Sequence, residues 1–389
     1  MFIVEMNVSL LLFMAGIYFH IPFCKQACHY CDFHFSTNLA IRSEMVESLR
    51  RELRLQRDYL GGEMIETIYF GGGTPSLLYS AELQSLMNDT RANFAVSSDA
   101  EVTLEANPDD LSPQRLEELM MLGINRLSIG IQSFQNDVLH FLNRAHDSRS
   151  ALQCVADSRN AGFENISIDL IYAIPGQSEQ AWIENVKTAI QLAPEHISAY
   201  NLTIEPQTVF GNWSSKGKLV PVMEDHAARQ LELLVAILGD AGYQQYEVSN
   251  FCRPGFESKH NSSYWQRKMY LGIGPSAHSY NKESRQYNVR NNHTYVKSLS
   301  EGKLPFEKEM LSREDHVNEY LLTTLRTRWG ADLKTIRDDY GYDLLSDQRT
   351  YVDRLLSQQL ATLENDLLKL TPKGKMMADK ISSDLFLIS

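Results

Sequence analysis

At 389 residues, with 43% hydrophobic and 22% charged positions, the sequence has the make-up of a folded globular protein with room for one large domain and a small one. Its net charge of −12 argues against a nucleic-acid binder held by phosphate electrostatics. Five cysteines, three clustered and Cys154 and Cys252 alone, are not a disulfide framework and point to a reducing, cytoplasmic setting.

The first stretch, MFIVEMNVSLLLFMAG, lacks a positive n-region and carries Glu5, which argues against a signal peptide. Its apolar run is too short for a transmembrane segment. A poorly ordered extension over residues 1–15 is expected, with Met14 as an alternative start of translation. Ile17, Phe19 and Ile21 alternate as in a strand, and Pro22 stops the ladder. Cys24, Cys28 and Cys31 follow as a C-x3-C-x2-C array, with Tyr30 beside the third and Tyr18 six positions before the first.

Residues 41–60 have helical spacing, and 65–70 form a strand that runs into Gly71-Gly72-Gly73-Thr74-Pro75. A helix at 80–93 precedes a strand at 101–106, which ends in Glu105-Ala-Asn107-Pro108. Ser112 and Pro113 read as N-cap and N1 of a helix closed by Gly123. The unit recurs as strands at 126–132, 166–174 and 196–204 with helices at 148–161, 179–191 and 223–240. Six strand-then-helix units predict an α/β fold, an incomplete (β/α)6 barrel over residues 16–285, open on one side. Beyond it, helices at 291–300, 312–328, 331–340 and 346–360 and a strand at 367–370 predict a small, mainly helical C-terminal domain over 286–389, with winged-helix character.

In βα barrels chemistry sits at the C-terminal ends of the strands. The cysteines follow strand 1, GGGTP follows strand 2, Glu105 ends strand 3, Gln132 ends strand 4 and Thr203 ends strand 6, while Asp169 lies inside strand 5. Three thiolates on one loop can hold a [4Fe–4S] cluster and leave one iron open. They can also hold zinc with a fourth ligand from His20, His29 or His34. The triple glycine lets a ligand approach backbone N–H groups. Glu105 and Asp169 are either acceptors for a ligand or structural carboxylates paired with arginine. GIGPSA at 272–277 mimics a dinucleotide fingerprint but has no βαβ unit or acidic residue behind it.

These residues resemble the radical S-adenosylmethionine (SAM) superfamily. The resemblance implies that SAM chelates the open iron through its amino and carboxylate groups and that one electron cleaves it to a 5′-deoxyadenosyl radical. It implies that Gly72, Gly73 and Thr74 meet the methionyl amino group. Glu105, Gln132 and Asp169 are then expected around the ribose, and Arg144 on the SAM carboxylate. Tyr18, Tyr30 and Thr203 join the expected cofactor-binding set, and GIGPSA is expected to close onto the SAM side.

The segments YFHIPFC, FGGGTPS, EANPDDL, RLSIGIQSF, IDLIYAIPGQ and YEVSNF resemble one branch, oxygen-independent coproporphyrinogen III oxidase and its relatives. The oxidase has a fourth cysteine two residues after the third, where this chain has Phe33. The HemW-type group of heme chaperones lacks that cysteine and carries H-N-x-x-Y-W, here His260 to Trp265. On chemistry alone His260 is either an axial heme ligand flanked by Tyr264 and Trp265 or a histidine capping a turn before a packed aromatic strand. The family match favours heme. The expected function is heme binding and delivery to an acceptor protein, with a low-potential donor such as flavodoxin or ferredoxin feeding the cluster. The rivals are oxidative decarboxylation of coproporphyrinogen III and a zinc-stabilised binding module. No nucleic-acid partner is expected.

Overall fold

A computed structural model describes residues 14–388. The extension expected over residues 1–15 lies, up to residue 13, outside them. Strands β1 (Met14–Ile21), β2 (Met64–Gly72), β3 (Val96–Ala106), β4 (Arg126–Gln132), β5 (Ile166–Tyr172) and β6 (His196–Asn201) lie side by side in chain order, all parallel. Helices α1 (Arg42–Leu55), α2 (Ser80–Asn93), α3 (Pro113–Met121), α4 (Asn136–Phe141), α5 (Ser148–Asn160), α6 (Glu179–Gln191), α7 (Val209–Ser215) and α8 (Glu224–Asp240) alternate with them. Ser112 caps α3 by accepting from the Arg115 N–H, and Gly123 leaves the helix at φ 86°. Ile17, Phe19, Ile21, Ile68, Phe70, Leu104, Leu127, Ile129 and Ile168 pack outward in one core with Leu49, Leu53, Leu83, Leu116 and Trp182 of the helices. The alternate positions of the same strands are polar. The six-unit barrel is therefore borne out, but its strands are apolar on one face only.

The sheet continues on both flanks. Beyond β6 lie antiparallel β8 (Asn250–Cys252) and β7 (Gln244–Glu247). Beyond β1 lies β9 (Met269–Ile273), parallel to it, then the meander β10 (His278–Tyr280), β11 (Ser284–Asn288) and β12 (Phe306–Met310). The expected boundary at 285/286 cuts β11, and α10 (Asn292–Ser300) buries Tyr295 and Leu299 in the barrel's core. A separate core starts at Val317. It joins α11 (Arg313–Leu325), α12 (Leu333–Tyr340) and α13 (Leu344–Ser357) to a small antiparallel sheet of β13 (Ala331–Asp332), β15 (Leu367–Leu370) and β14 (Ala361–Glu364). Among the described residues no helix is long and apolar enough to cross a membrane.

The helix α9 (Lys259–Trp265) closes the barrel at the N-terminal halves of β1–β3. Ser258 caps it, and the Glu101 carboxylate accepts from the Lys259 and His260 N–H groups at 3.2 and 3.1 Å. Gly16 of β1 leaves room there, since a Cβ would meet Thr67 Oγ1 at 2.7 Å.

The meander is tied to α1 by one buried carboxylate. Glu52 accepts from the Gly274 N–H at 2.8 Å, from Asn288 Nδ2 at 2.6 Å and from the Tyr295 hydroxyl. Burial pushes its carboxyl up to about 7, against those three donors. Glu52→Ala leaves buried donors unpaired and should cost about 2–3 kcal/mol of stability, read as a fall in Tm. The Glu52 contribution is full below its unfolded value of 4.5 and is lost as pH rises through about 7, so the variant should also show a shallower loss of stability over that window.

Candidate functional site

A cavity of about 610 Å³ opens at the C-terminal ends of the six parallel strands. It is lined by Cys24, Cys28, Cys31 and Tyr30 from the loop after β1, by Gly72, Gly73 and Thr74 after β2, and by Glu105, Gln132, Arg144, Asp169 and Thr203. Every expected site residue is there except Tyr18 and His260.

The cysteine loop is held by its neighbours' backbone. Cys24 N–H donates to the Ser36 carbonyl at 3.1 Å, Gly73 N–H to Ile21 at 2.9 Å and Thr74 N–H to Phe23 at 2.7 Å. Two helices that the periodicity does not announce, α4 and α7, clamp its far side. His29 N–H donates to Leu142, Phe210 N–H donates to His29, and the His29 ring sits 4.9 Å from that of Trp213. His29 Nδ1 bonds the Phe141 carbonyl, His20 Nε2 the His34 carbonyl and His34 Nε2 Asn292 Oδ1. The histidines that a zinc site would draw on are thus engaged elsewhere. Among the described residues no three His, Cys, Asp or Glu side chains are grouped to hold a single metal ion.

The donor set suits an iron–sulfur cluster. Thr74 Oγ1 donates to Cys24 Sγ at 3.4 Å, and Arg144 Nη1 donates to Cys28 Sγ at 3.2 Å. Hydrogen bonds to cluster sulfurs are one of the levers that set cluster potential. Burial pushes the Cys24 and Cys31 thiols up to about 11, so thiolate charge here requires a cationic centre to compensate it. Arg144 Nε is buried and has no partner. The arginine is otherwise committed, with Nη2 on Asn107 Oδ1 at 2.5 Å and the Gly130 carbonyl at 2.7 Å. It offers no free fork to a carboxylate, contrary to the sequence expectation.

The triple glycine also works differently from expectation. The N–H groups of Gly72, Gly73 and Thr74 are occupied, that of Gly72 by Glu105 Oε2 at 3.1 Å. A Cβ at Gly73 would meet the Ile21 and Phe23 carbonyls at 2.7 Å, and Gly72, at φ 102°, would place one against the His20 ring at 2.5 Å. The glycines let the cysteine loop lie flat on β2. With those N–H groups engaged, the backbone here has carbonyls rather than donors to offer a ligand.

Burial raises Glu105 to about 7, against hydrogen bonds from Tyr69 Oη (2.8 Å) and the Gly72 N–H, with Asp169 adding to the rise. Burial likewise raises Asp169 to about 6, against hydroxyls of Ser198 and Ser128 and the nearby Arg126 and Arg144. Gln132 ends β4 in the left-handed region at φ 67°, a backbone state that bulky residues adopt when the surroundings impose it. Thr203 is exposed at the rim, two residues past the end of β6.

His260 is not at this site. It is 1% exposed inside the barrel, its Nδ1 on Thr67 Oγ1 at 2.7 Å and its Nε2 on Tyr264 Oη at 2.8 Å. Its ring stacks 4.9 Å from Tyr69 and 6.3 Å from Tyr18. Burial lowers it to about 3, so it is a neutral imidazole with both nitrogens engaged. An axial-ligand role has no open nitrogen here. Tyr18 bonds His20 Nδ1 at 3.2 Å and faces a second cavity. GIGPSA does not border the cysteine cavity either; Ser276 and the following His278 border that second cavity.

A model of the radical SAM superfamily matches residues 18–189, and one of the HemN C-terminal domain matches residues 311–377. The chain is 34% identical to the heme chaperone HemW of Bacillus subtilis, over 95% of this chain and 98% of the relative. It is 38% identical to the heme chaperone HemW of Escherichia coli, over 68% of this chain and 69% of the relative. Among solved structures it resembles Escherichia coli coproporphyrinogen III oxidase, with a TM-score of 0.83 and 23% identity, covering 96% of this chain and 90% of that one.

Asn107, Tyr69 and Arg126 escaped the sequence reading. Asn107 bridges Thr74 and Arg144, and Tyr69 holds Glu105. Their signal was parity, since Thr67, Tyr69 and Gly71 share one face of β2, as Arg126 and Ser128 do in β4. The glycine geometry is testable without any cofactor. Gly73→Ala should destabilise the cluster-free protein by about 2 kcal/mol, because backbone carbonyls cannot give way. Gly239→Ala, in α8 with open space around it, should be neutral or slightly stabilising in the same thermal unfolding assay.

Proposed function

Because the chain belongs to the HemW group of the radical SAM superfamily, we propose that it binds heme and passes it to an acceptor protein. The observation that carries this reading is identity of 34% along nearly the whole length of a relative named heme chaperone. Phe33 supports it, for a phenyl ring, 71% exposed, stands where the oxidase branch has its fourth cysteine. The likeness to the oxidase, at 23% identity, speaks for the shared fold.

Cys24, Cys28 and Cys31 hold a [4Fe–4S] cluster, and SAM occupies the remainder of the same cavity. When bound, this pair supplies one-electron chemistry. The chain's residues do the positioning. Arg144 fixes the Cys28 side of the loop, and Gly73, which lines the cavity, would offer its carbonyl to the amino group of SAM. Glu105 and Asp169 accept from ribose hydroxyls, and Gln132 and Thr203 border the same ligand. The electron comes from a low-potential flavodoxin or ferredoxin. Five cysteines with no disulfide among them support a reducing, cytoplasmic setting for this work.

Anaerobically reconstituted protein should develop a Soret band when titrated with hemin, with its iron–sulfur absorbance retained. It should form no protoporphyrinogen IX from coproporphyrinogen III with SAM and reductant. Robust decarboxylation without heme binding would reverse the assignment.

Glu105 gives a pH test of the SAM site. Its carboxyl stays neutral up to about 7, and the ionised form is the stronger acceptor for hydroxyls. SAM affinity, measured by calorimetry, should rise as pH passes through about 7, and Glu105→Gln should flatten that rise.

A further inference from the structure

If the cysteine cavity is filled by cluster and SAM, heme needs another seat, and His260 has no free nitrogen to offer it. A second cavity of about 530 Å³ lies on the far side of the cysteine loop, between the barrel's β9–β11 flank and α11 of the C-terminal domain. Asp32 and Phe33 line both cavities, so one stretch of loop is the wall between them. Its size suits a single large organic ligand.

The lining matches a flat, doubly acidic macrocycle that carries a metal. Tyr264 and Trp265 of α9 and Tyr270 of β9 supply aromatic surface, the Tyr264 and Tyr270 rings meeting edge to face at 4.6 Å. Arg285 and Arg290 supply cations and are 38% and 52% exposed, the first paired with Glu319 at 2.7 Å and the second with Asp32 at 3.7 Å. Three histidines border the space. His20 is bonded on both nitrogens, and His34 is bonded through Nε2. His278 is exposed, lies 5.9 Å from the Tyr287 ring, and among the described residues no hydrogen bond engages either of its nitrogens.

We propose that heme seats in this second cavity, with His278 as its axial ligand, Arg285 and Arg290 on its carboxylates, and Tyr264 and Trp265 as its aromatic wall. This rests on the heme-binding reading and relocates the ligand within it. His260 is then a positioning residue, holding the Tyr264 hydroxyl at 2.8 Å from inside the barrel. Bound heme lies against Phe33, directly behind the loop that carries the cysteines.

The test uses the full chain with its cluster reconstituted, titrated separately with hemin and with iron-free protoporphyrin IX. His278→Ala should weaken hemin about tenfold or more and shift its Soret band towards that of free hemin, because an iron ligand is lost. It should leave protoporphyrin IX binding unchanged. Thr323→Trp, which fills the cavity from α11, should weaken both porphyrins. Iron–sulfur absorbance at the wild-type level in both variants shows that the fold is intact. Wild-type hemin titrations in both variants would overturn the site while leaving heme binding itself standing. Loss in Thr323→Trp alone would overturn the role of His278. A wild-type chain that binds no hemin would overturn both the site and the function it rests on.

Discussion

The fold depends on keeping charge inside a barrel. Each parallel strand sends its apolar residues outward to the helices and its polar ones inward, so Glu101, Glu105, Arg126 and Asp169 share one interior. Removing such groups from water is costly unless each finds a partner. Glu101 accepts two N–H groups from the start of α9, and Glu105 accepts from Tyr69 and from the turn after β2. Arg126 is 1% exposed, and its Nε and Nη1 have no hydrogen bond, so its contribution is the field it exerts on the carboxylates around it. The helix that plugs the barrel and the glycines at its mouth are thus both parts of how the interior is compensated.

That arrangement explains why the H-N-x-x-Y-W segment and the cysteine loop belong to one design although 229 positions separate Cys31 from His260 (260 − 31). The motif's first residue is inside, bonded to Thr67 and stacked on Tyr69, and Tyr69 in turn holds Glu105 at the mouth. Its last two residues face outward into the second cavity. A substitution at His260 therefore reaches both cavities without touching a ligand in either, through Tyr69 on one side and Tyr264 on the other. Loss of a function on mutating this histidine does not by itself identify it as a ligand.

Much of this was legible in the sequence, and the failures have physical causes. Strand-then-helix alternation, the Ser112–Pro113 start and the Gly123 stop are local signals, and local signals survive in a single sequence. The cysteine array and the polar strand ends were legible because barrel topology forces strand ends into one place. The use of the glycine N–H groups was not, since it depends on the loop after β1 lying on the turn after β2, a contact between segments about fifty residues apart (74 − 24). The expected boundary at 285/286 falls inside β11 because β11 and β12 continue the sheet that β9 joins to β1, a long-range pairing that periodicity cannot see. His260 was misread because an imidazole near aromatics looks alike whether it stacks in a core or faces a macrocycle. Exposure decides between them, and exposure is not a sequence property.

Phe33 joins these threads. A cysteine at that position would add a thiol to the shared wall, within reach of whatever occupies either cavity. A phenyl ring instead separates the two spaces with a surface that neither ligates metal nor accepts a proton. Its ring is 71% exposed and borders both cavities. The same substitution that removes a reactive group from the cluster side gives the other side a flat apolar face. On the two proposed assignments, one residue stands between the SAM cavity and the seat of a planar ligand, within a single loop's thickness of both.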